Sequence, residues 1–343
     1  MSATSRTSPI AKLTNGRDLT REEAYTVVEL LEADEMNDIQ VAGFLAALTT
    51  KGPTTDEIAG IAEGMRDHCN FIRPDVSGRM IDTCGTGGGY STYNVSTIVS
   101  IIASAEGIPV AKHGSRSISS QSGSADVLEE LGVNIDLDAD RAERLMERIE
   151  LAFLYAPNFH PIMRQVLPTE AQLEVKTVFY TLIGPLINPA GVTSHILGVY
   201  EPEYVGMVSG ILEKMDYEHA LVVHGQDGLD ELSVVGRSSV AEVRNGSTER
   251  YEITPEEVGL DRASLEDLAG GTPDENARIL REILTGKERG AKRDLALMNA
   301  AGALYVGGKA DSLEDGVELA EQSIDSGRAN EKLDELIDVS QEV

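Results

Sequence analysis

"MIDTCGTGGGYSTYNVST", residues 80 to 97, decides how the chain is read. A short apolar run leads into four glycines, Gly85, Gly87, Gly88 and Gly89, and the stretch ends in "NVST", a pattern that starts a helix. Strand, glycine loop and helix in that order leave backbone N–H groups bare at a helix N-terminus. The unpaired amides and the helix dipole there favour a phosphate. No Gly-Lys-Ser/Thr closes the loop, so it is not a P-loop. Taken alone, the stretch reads equally well as a glycine-rich turn followed by an N-cap.

Downstream, β-prone runs ("IPVAK", "LAFLYA", "SHILGVY", "HALVVHG") alternate with helical patterns ("TIVSIIASAEG", "SADVLEELG", "DADRAERLMERI", "PEYVGMVSGILEKM"). That alternation predicts an α/β domain on a mostly parallel central sheet. "DELSVVG", "SVAEVRNG" and "ERYEIT" read as strands of a more antiparallel patch. "PDENARILREILTG", "KRDLALMNAAGALYVGG" and an acidic C-terminal helix follow. Upstream, "LTREEAYTVVELLEA", "MNDIQVAGFLAAL" and "TTDEIAGIAEGMRDHC" have helical apolar spacing, and Thr20/Glu23 and Thr54/Glu57 form capping boxes. The expected organisation is a small helical domain over 1–76, joined by part of 165–190, and an α/β domain over 77–343.

Two further stretches turn the glycine loop toward chemistry. "AKHGSRSISSQSGSADVLEELG" gathers Lys112, His113, Arg116, Ser119, Ser120 and Ser124 after a second β-prone run. Cations among hydroxyls and glycines suit a phosphate, although a plain serine-rich loop has the same composition. Two such loops at successive strand ends face one crevice, where α/β sheets bind ligands. "VVHGQDGLDELS" places Asp227, Asp230 and Glu231 after another strand. These carboxylates could hold magnesium against substrate phosphates, or form a solvated acidic turn.

The chain has 343 residues, with 58 acidic against 29 basic and a net charge of −29. Nucleic acid is an improbable partner for such a surface. An acidic excess spread along the whole chain is the composition of proteins from very salty cytoplasm, where molar salt shortens the screening length to about 3 Å. No run of about 18 apolar residues suggests a membrane span, and "MSATSRTSPIAKLTNGRD" has no apolar signal core. Cys69 and Cys84 stand alone, which argues against a disulfide framework or zinc site and fits a reducing cytoplasm. "DLDAD" lacks the glycine and glutamate of a calcium loop. His68, His195 and His219 read as structural or surface residues, and no Ser-His-Asp or cysteine nucleophile stands out.

"GTGG…NVST", "KHGSRSISSQSGSADVLEELG", "APNFHP", "GPLINPAG" and "VVHGQDGLDE" resemble, in this order and over nearly the whole chain from about Leu13, the anthranilate phosphoribosyltransferase family. The resemblance implies a homodimer formed through the helical domain, with substrates between the helical and α/β domains. It implies attack of the anthranilate amine on C1 of 5-phosphoribosyl 1-diphosphate, with Mg2+ assisting release of pyrophosphate. Carried over position by position, the substrate-binding residues are Gly85, Thr86, Gly87, Gly88, Gly89, Thr92, Asn94, Val95, Ser96, Thr97, Lys112, His113, Gly114, Ser115, Arg116, Ser119, Ser120 and Ser124. Lys112, His113, Asp230 and Glu231 take catalytic roles, and Ser96, Asp230 and Glu231 hold the metal.

Three departures stand against the family pattern. The glycine loop is one residue shorter and has Gly89 in place of an aspartate. Ser115 replaces an asparagine that meets the acceptor. Counting from His160, Glu170 occupies the place of an arginine that pairs with the anthranilate carboxylate, and Lys176 that of a later arginine. On this count Glu170 belongs to the acceptor pocket, where Arg164 or Lys176 would supply the missing cation and Glu170→Arg would tighten anthranilate binding. The alternative expectation is a related phosphoribosyltransferase, or a nucleoside-phosphorylase-like enzyme, with a different aromatic or heterocyclic acceptor.

Overall fold

The computed structural model describes residues 8–117, 121–175 and 177–343. The chain divides into two compact units, one of residues 1–70 and 160–187, the other of residues 71–159 and 188–343.

The first unit holds helices α1 (Pro9–Leu13), α2 (Arg21–Glu32), α3 (Asp38–Lys51) and α4 (Thr55–Asp67). The capping boxes at Thr20/Glu23 and Thr54/Glu57 form as the sequence predicts, and a third, Asn37/Gln40, opens α3. Helices α2 and α4 approach closely because Gly60 leaves no room for a side chain: an added Cβ would lie 3.0 Å from the Ala24 Cβ. Glu57 is fully buried and holds together the start of the bundle. It accepts from the Leu19 and Thr54 N–H groups at 2.9 and 2.7 Å and from Lys51 Nζ at 2.9 Å.

The second unit is built on a seven-stranded sheet of order β3-β2-β1-β4-β5-β6-β7. Its strands are β1 (Ile81–Asp82), β2 (Val110–Gly114), β3 (Leu151–Tyr155), β4 (Ser194–Gly198), β5 (His219–Gly225), β6 (Ser238–Arg244) and β7 (Ser247–Ile253). The first five run parallel, and β6 and β7 add antiparallel ribbons at one edge, as the alternation predicts. After β1 the chain moves to β2 and β3 on one side, then returns to place β4 on the other. The boundary between β1 and β4 is therefore the topological switch point. Helix α5 (Val95–Ala105) leaves the glycine loop and is buried almost all round. Helices α6 (Ser124–Glu130), α7 (Ala139–Ile149) and α8 (Ala156–Phe159) follow within this unit, and α9 (Met163–Leu173) returns to the first. The sheet unit then continues with α10 (Pro202–Lys214), α11 (Pro273–Leu284), α12 (Ala291–Val306), α13 (Leu313–Asp325) and α14 (Arg328–Glu342).

Three expectations are corrected. "DELSVVG" forms no strand, because Asn299 takes the Leu232 N–H at 2.8 Å and the Leu232 carbonyl at 2.9 Å, the groups a ladder would use. "MIDTC" shortens to a two-residue strand because the Asp82 carboxylate captures the next two N–H groups. The acidic C-terminal helix is two helices, broken at Gly327, whose φ of 87° suits glycine. Among the described residues, no helix is long and apolar enough to cross a membrane.

Candidate active site

The glycine loop lies at the switch point, beyond the C-terminal ends of β1 and β4. Thr86 N–H donates to the Gly198 carbonyl at 2.9 Å, and Tyr90 N–H to the Gly228 carbonyl at 3.1 Å. Gly87 and Gly88 have φ of 63° and 93°, a region in which a side chain would be strained. Gly89 is required for a second reason. An added Cβ would lie 2.5 Å from Asp230 Oδ1 and 2.8 Å from the Gly228 carbonyl. The loop thus packs down on the acidic turn, and an aspartate in its third glycine position would collide with that turn.

Asp230 and Glu231 are held beneath the loop. Each keeps some accessible surface, and no ion pair to either is seen among the described residues. Burial pushes the Asp230 carboxyl up, partly offset by N–H donation from its own backbone and from Gly87. Burial and then the Asp230 charge push Glu231 well above the ordinary range, and Lys112 opposes them. Two adjacent carboxyls that burial makes costly to ionise, with Lys112 acting on Glu231 only from a distance and no direct ion pair among the described residues, fit a hard divalent ion. Among the described residues no cluster of three or more His, Cys, Asp or Glu could hold a metal, so a bound ion would complete its shell with ligand oxygens, water or hydroxyls.

Lys112 is buried at the middle of β2, and its Nζ donates to Ser96 Oγ at 3.1 Å. The second predicted loop is thereby joined to the N-terminus of α5. Asn94 joins them again from a left-handed conformation, φ 66°. Its Nδ2 donates to the Ser122 carbonyl at 3.1 Å, and its Oδ1 accepts from Asn276 at 2.8 Å. The Asn94 carboxamide, expected to touch the ligand, is thus engaged by protein. Thr97 Oγ1 is buried without a partner among the described residues. Thr92, Val95, Gly114 and Ser124 also lie along these loops, and Ser124 Oγ occupies the space a Gly114 Cβ would need.

Other predicted residues are engaged elsewhere. Arg116 pairs with Asp126 at 2.9 Å and with Glu129 at 2.8 Å, and its guanidinium lies over the Tyr155 ring. Asp126 also accepts from Ser117 and Gly123 N–H, closing the loop on itself. Ser115 is exposed, and its carbonyl accepts from Ala125 at 3.3 Å. Ser119, Ser120 and Lys176 lie outside the described residues. Glu170 belongs to the first unit, where it is buried and Oε1 accepts the Thr177 N–H at 2.7 Å. Oε2 has no partner among the described residues, and Arg164 is exposed. Asp227, considered as a metal ligand, instead receives the Ser233 hydroxyl and the Leu229 N–H.

Two residues that tie the loops together carry no local signal in the sequence. Asp82 and Asn188 join the two loops, but an Asp after two apolar residues and an Asn in "GPLINPAG" look like ordinary loop residues. The cysteines are poor nucleophiles, since burial pushes Cys69 up to about 11 and Cys84 up to about 12. His68 and His219 are structural, bound to the Gly64 carbonyl and to Glu242.

The chain matches two family descriptions: "Glycosyl transferase family, helical bundle domain" over residues 8–69, and "Glycosyl transferase family, a/b domain" over residues 77–330. Anthranilate phosphoribosyltransferase of Haloarcula marismortui is 49% identical over 329 residues, covering 96% of this chain and 98% of the relative. The crystal structure of the enzyme of that name from Thermus thermophilus is 41% identical with a TM-score of 0.91, covering 97% of this chain and 99% of the other. The Saccharomyces cerevisiae enzyme, solved in complex with PRPP and Mg, is 29% identical with a TM-score of 0.88, covering 100% of this chain and 99% of the other.

Proposed function

The chain belongs to this glycosyl transferase family, and on that premise we propose that it is an anthranilate phosphoribosyltransferase. It transfers the phosphoribosyl group of 5-phosphoribosyl 1-diphosphate to the amine of anthranilate. The C1–N bond forms, the C1–O bond to diphosphate breaks, and the amine proton and pyrophosphate leave. The observation that carries this reading is the packing of the glycine loop directly on the Asp230–Glu231 turn at the switch point.

In this reading the N–H groups of Gly85, Gly88 and Gly89 and of the start of α5 bind the donor's phosphates, while those of Thr86 and Gly87 hold the loop to Gly198 and Asp230. Lys112, fixed by Ser96, supplies a cation to the same oxygens, and His113, buried next to it on β2, completes the catalytic set. Asp230 and Glu231, with Ser96, would hold Mg2+, and the ion would supply positive charge for the diphosphate of the leaving group. Holding donor and amine together converts a bimolecular encounter into an oriented displacement. Arg116 serves by ordering the second loop through Asp126 rather than by reaching the donor. Glu170 serves within the first unit as the anchor of the Thr177 N–H. We further assign the enzyme to the cytoplasm as a homodimer built through the helical unit, adapted to concentrated salt. The two free cysteines support the cytoplasm, the net charge of −29 and the Haloarcula relative support the adaptation to salt, and the homodimer rests on the family resemblance.

The test follows loss of anthranilate fluorescence when purified protein meets donor and magnesium in high salt. Turnover is expected, and Asp230→Ala with Glu231→Ala should remove most of it. Turnover of another amine but not of anthranilate would refute the reading. Activity of the double variant with unaltered magnesium dependence would refute the metal assignment.

A further inference from the structure

Asp82 has no part in the roles assigned above, yet it is fully buried at the end of β1, directly beneath the glycine loop. One carboxylate oxygen accepts from three backbone N–H groups: Thr83 at 2.7 Å, Cys84 at 3.0 Å and His113 at 3.2 Å. The other accepts from Asn188 Nδ2 at 2.7 Å. Next to it in register on β4 is His195, also fully buried. Its Nε2 donates to the Cys84 carbonyl at 2.7 Å, while Nδ1 has no partner among the described residues. The tautomer with its hydrogen on Nε2 is therefore the one that makes a hydrogen bond.

Cys84 is thus held at both backbone groups, its N–H by Asp82 and its carbonyl by His195, and Gly85 follows at once. A loop rich in glycine has few side chains of its own to fix it and loses more freedom than others on ordering. A buried anion that accepts from both loops sets their separation, and four donors satisfy its charge.

We propose that Asp82 and His195 form a buried positioning clamp that fixes the root of the glycine loop and ties it to the His113 segment. Donor affinity then depends on two side chains that never touch the donor. This rests on the glycine loop being the donor site.

The matched variants His195→Gln and His195→Asn test it, because the glutamine amide can reach the Nε2 position and the asparagine amide cannot. Donor binding with magnesium is measured by calorimetry, the acceptor KM by steady-state turnover, and protection of residues 83–89 by hydrogen exchange without ligand. Glutamine should hold donor affinity within about twofold, and asparagine should weaken it about tenfold, the scale of one lost buried hydrogen bond. The acceptor KM should not move, and faster exchange at 83–89 should appear in the asparagine variant alone.

Equal affinity and equal exchange in the asparagine variant would overturn the clamp. So would a loss shared by donor, acceptor and melting temperature, which marks a merely structural role. If the unaltered protein fails to bind the donor, the functional reading falls, while exchange still judges the clamp. If the asparagine variant does not fold, the imidazole 15N signals of the unaltered protein decide: hydrogen on Nε2 supports the clamp, and hydrogen on Nδ1 overturns it.

Discussion

Gly198→Ala is the substitution that most directly probes how the acid pair is held. Gly198 ends β4, and its carbonyl receives the Thr86 N–H at 2.9 Å. An added Cβ would overlap the Asp230 carbonyl oxygen and lie 2.5 Å from the Asp230 carbonyl carbon and 3.3 Å from the Glu231 nitrogen. Non-bonded carbons rest at about 3.5–4.0 Å, so the Asp230–Glu231 backbone must retreat by about 1 Å. The obstacle is backbone on both sides, which cannot rotate away as a side chain would. Overpacking of this kind costs about 1–3 kcal/mol, and a displacement of about 1 Å at a reacting centre costs on the order of 100-fold in rate. We expect a folded protein with a somewhat lower melting temperature, kcat down about 100-fold, and a higher magnesium requirement. Gly236→Ala is the control, since its Cβ would find Asp227 Oδ2 at 3.9 Å and nothing closer. Circular dichroism melts and anthranilate fluorescence across a magnesium titration read the outcome. Full turnover with the ordinary magnesium dependence would mean that the position of this turn does not matter to the chemistry.

Asn94→Ala should cost about 3 kcal/mol by chemical denaturation, combining a left-handed backbone penalty with three lost side-chain bonds, to Asn276 and to the carbonyl and hydroxyl of Ser122. Asn94→Gly keeps the backbone and should cost about 1 kcal/mol less, so equal losses would refute the strain argument. Burial, with smaller contributions from Asp261, Glu321 and Glu288 and against the pull of Arg293, raises the Asp294 carboxyl from 3.8 to about 6. Ionising it therefore costs the folded state, and its contribution is full below its unfolded pKa and lost as the pH rises through about 6. Asp294→Asn should melt higher than the parent at pH 8 and the same near pH 4, and a constant difference across that range would refute the assignment. Glu170→Gln keeps the acceptor for Thr177 N–H and should change stability by less than about 1 kcal/mol. Glu170→Arg puts a cation in a buried site and should cost about 3 kcal/mol, so any tighter hold on anthranilate must be read on the folded fraction. An arginine variant as stable as the parent would show that the side chain reaches open space.

The local elements follow from neighbouring residues. Capping boxes, apolar periodicity and glycine-to-helix transitions act within a few residues, so Thr20, Thr54 and the parallel strands are found where local patterns put them. The three chemical stretches were legible for the same reason: "GTGGG", "KHGS" and "DGLDE" each carry their chemistry in consecutive residues. Which side chains remain available depends on contacts between residues far apart in the chain. Asn94 is consumed by Asn276, 182 residues away, and Arg116 by Asp126 and Glu129. Leu232 loses its strand to Asn299, and Asp82 gains its importance from His113 and Asn188. Gly89 shows the division best. In sequence it is a missing aspartate, but in space it is the one residue that lets the loop lie on Asp230, a contact set by the meeting of β1 and β4.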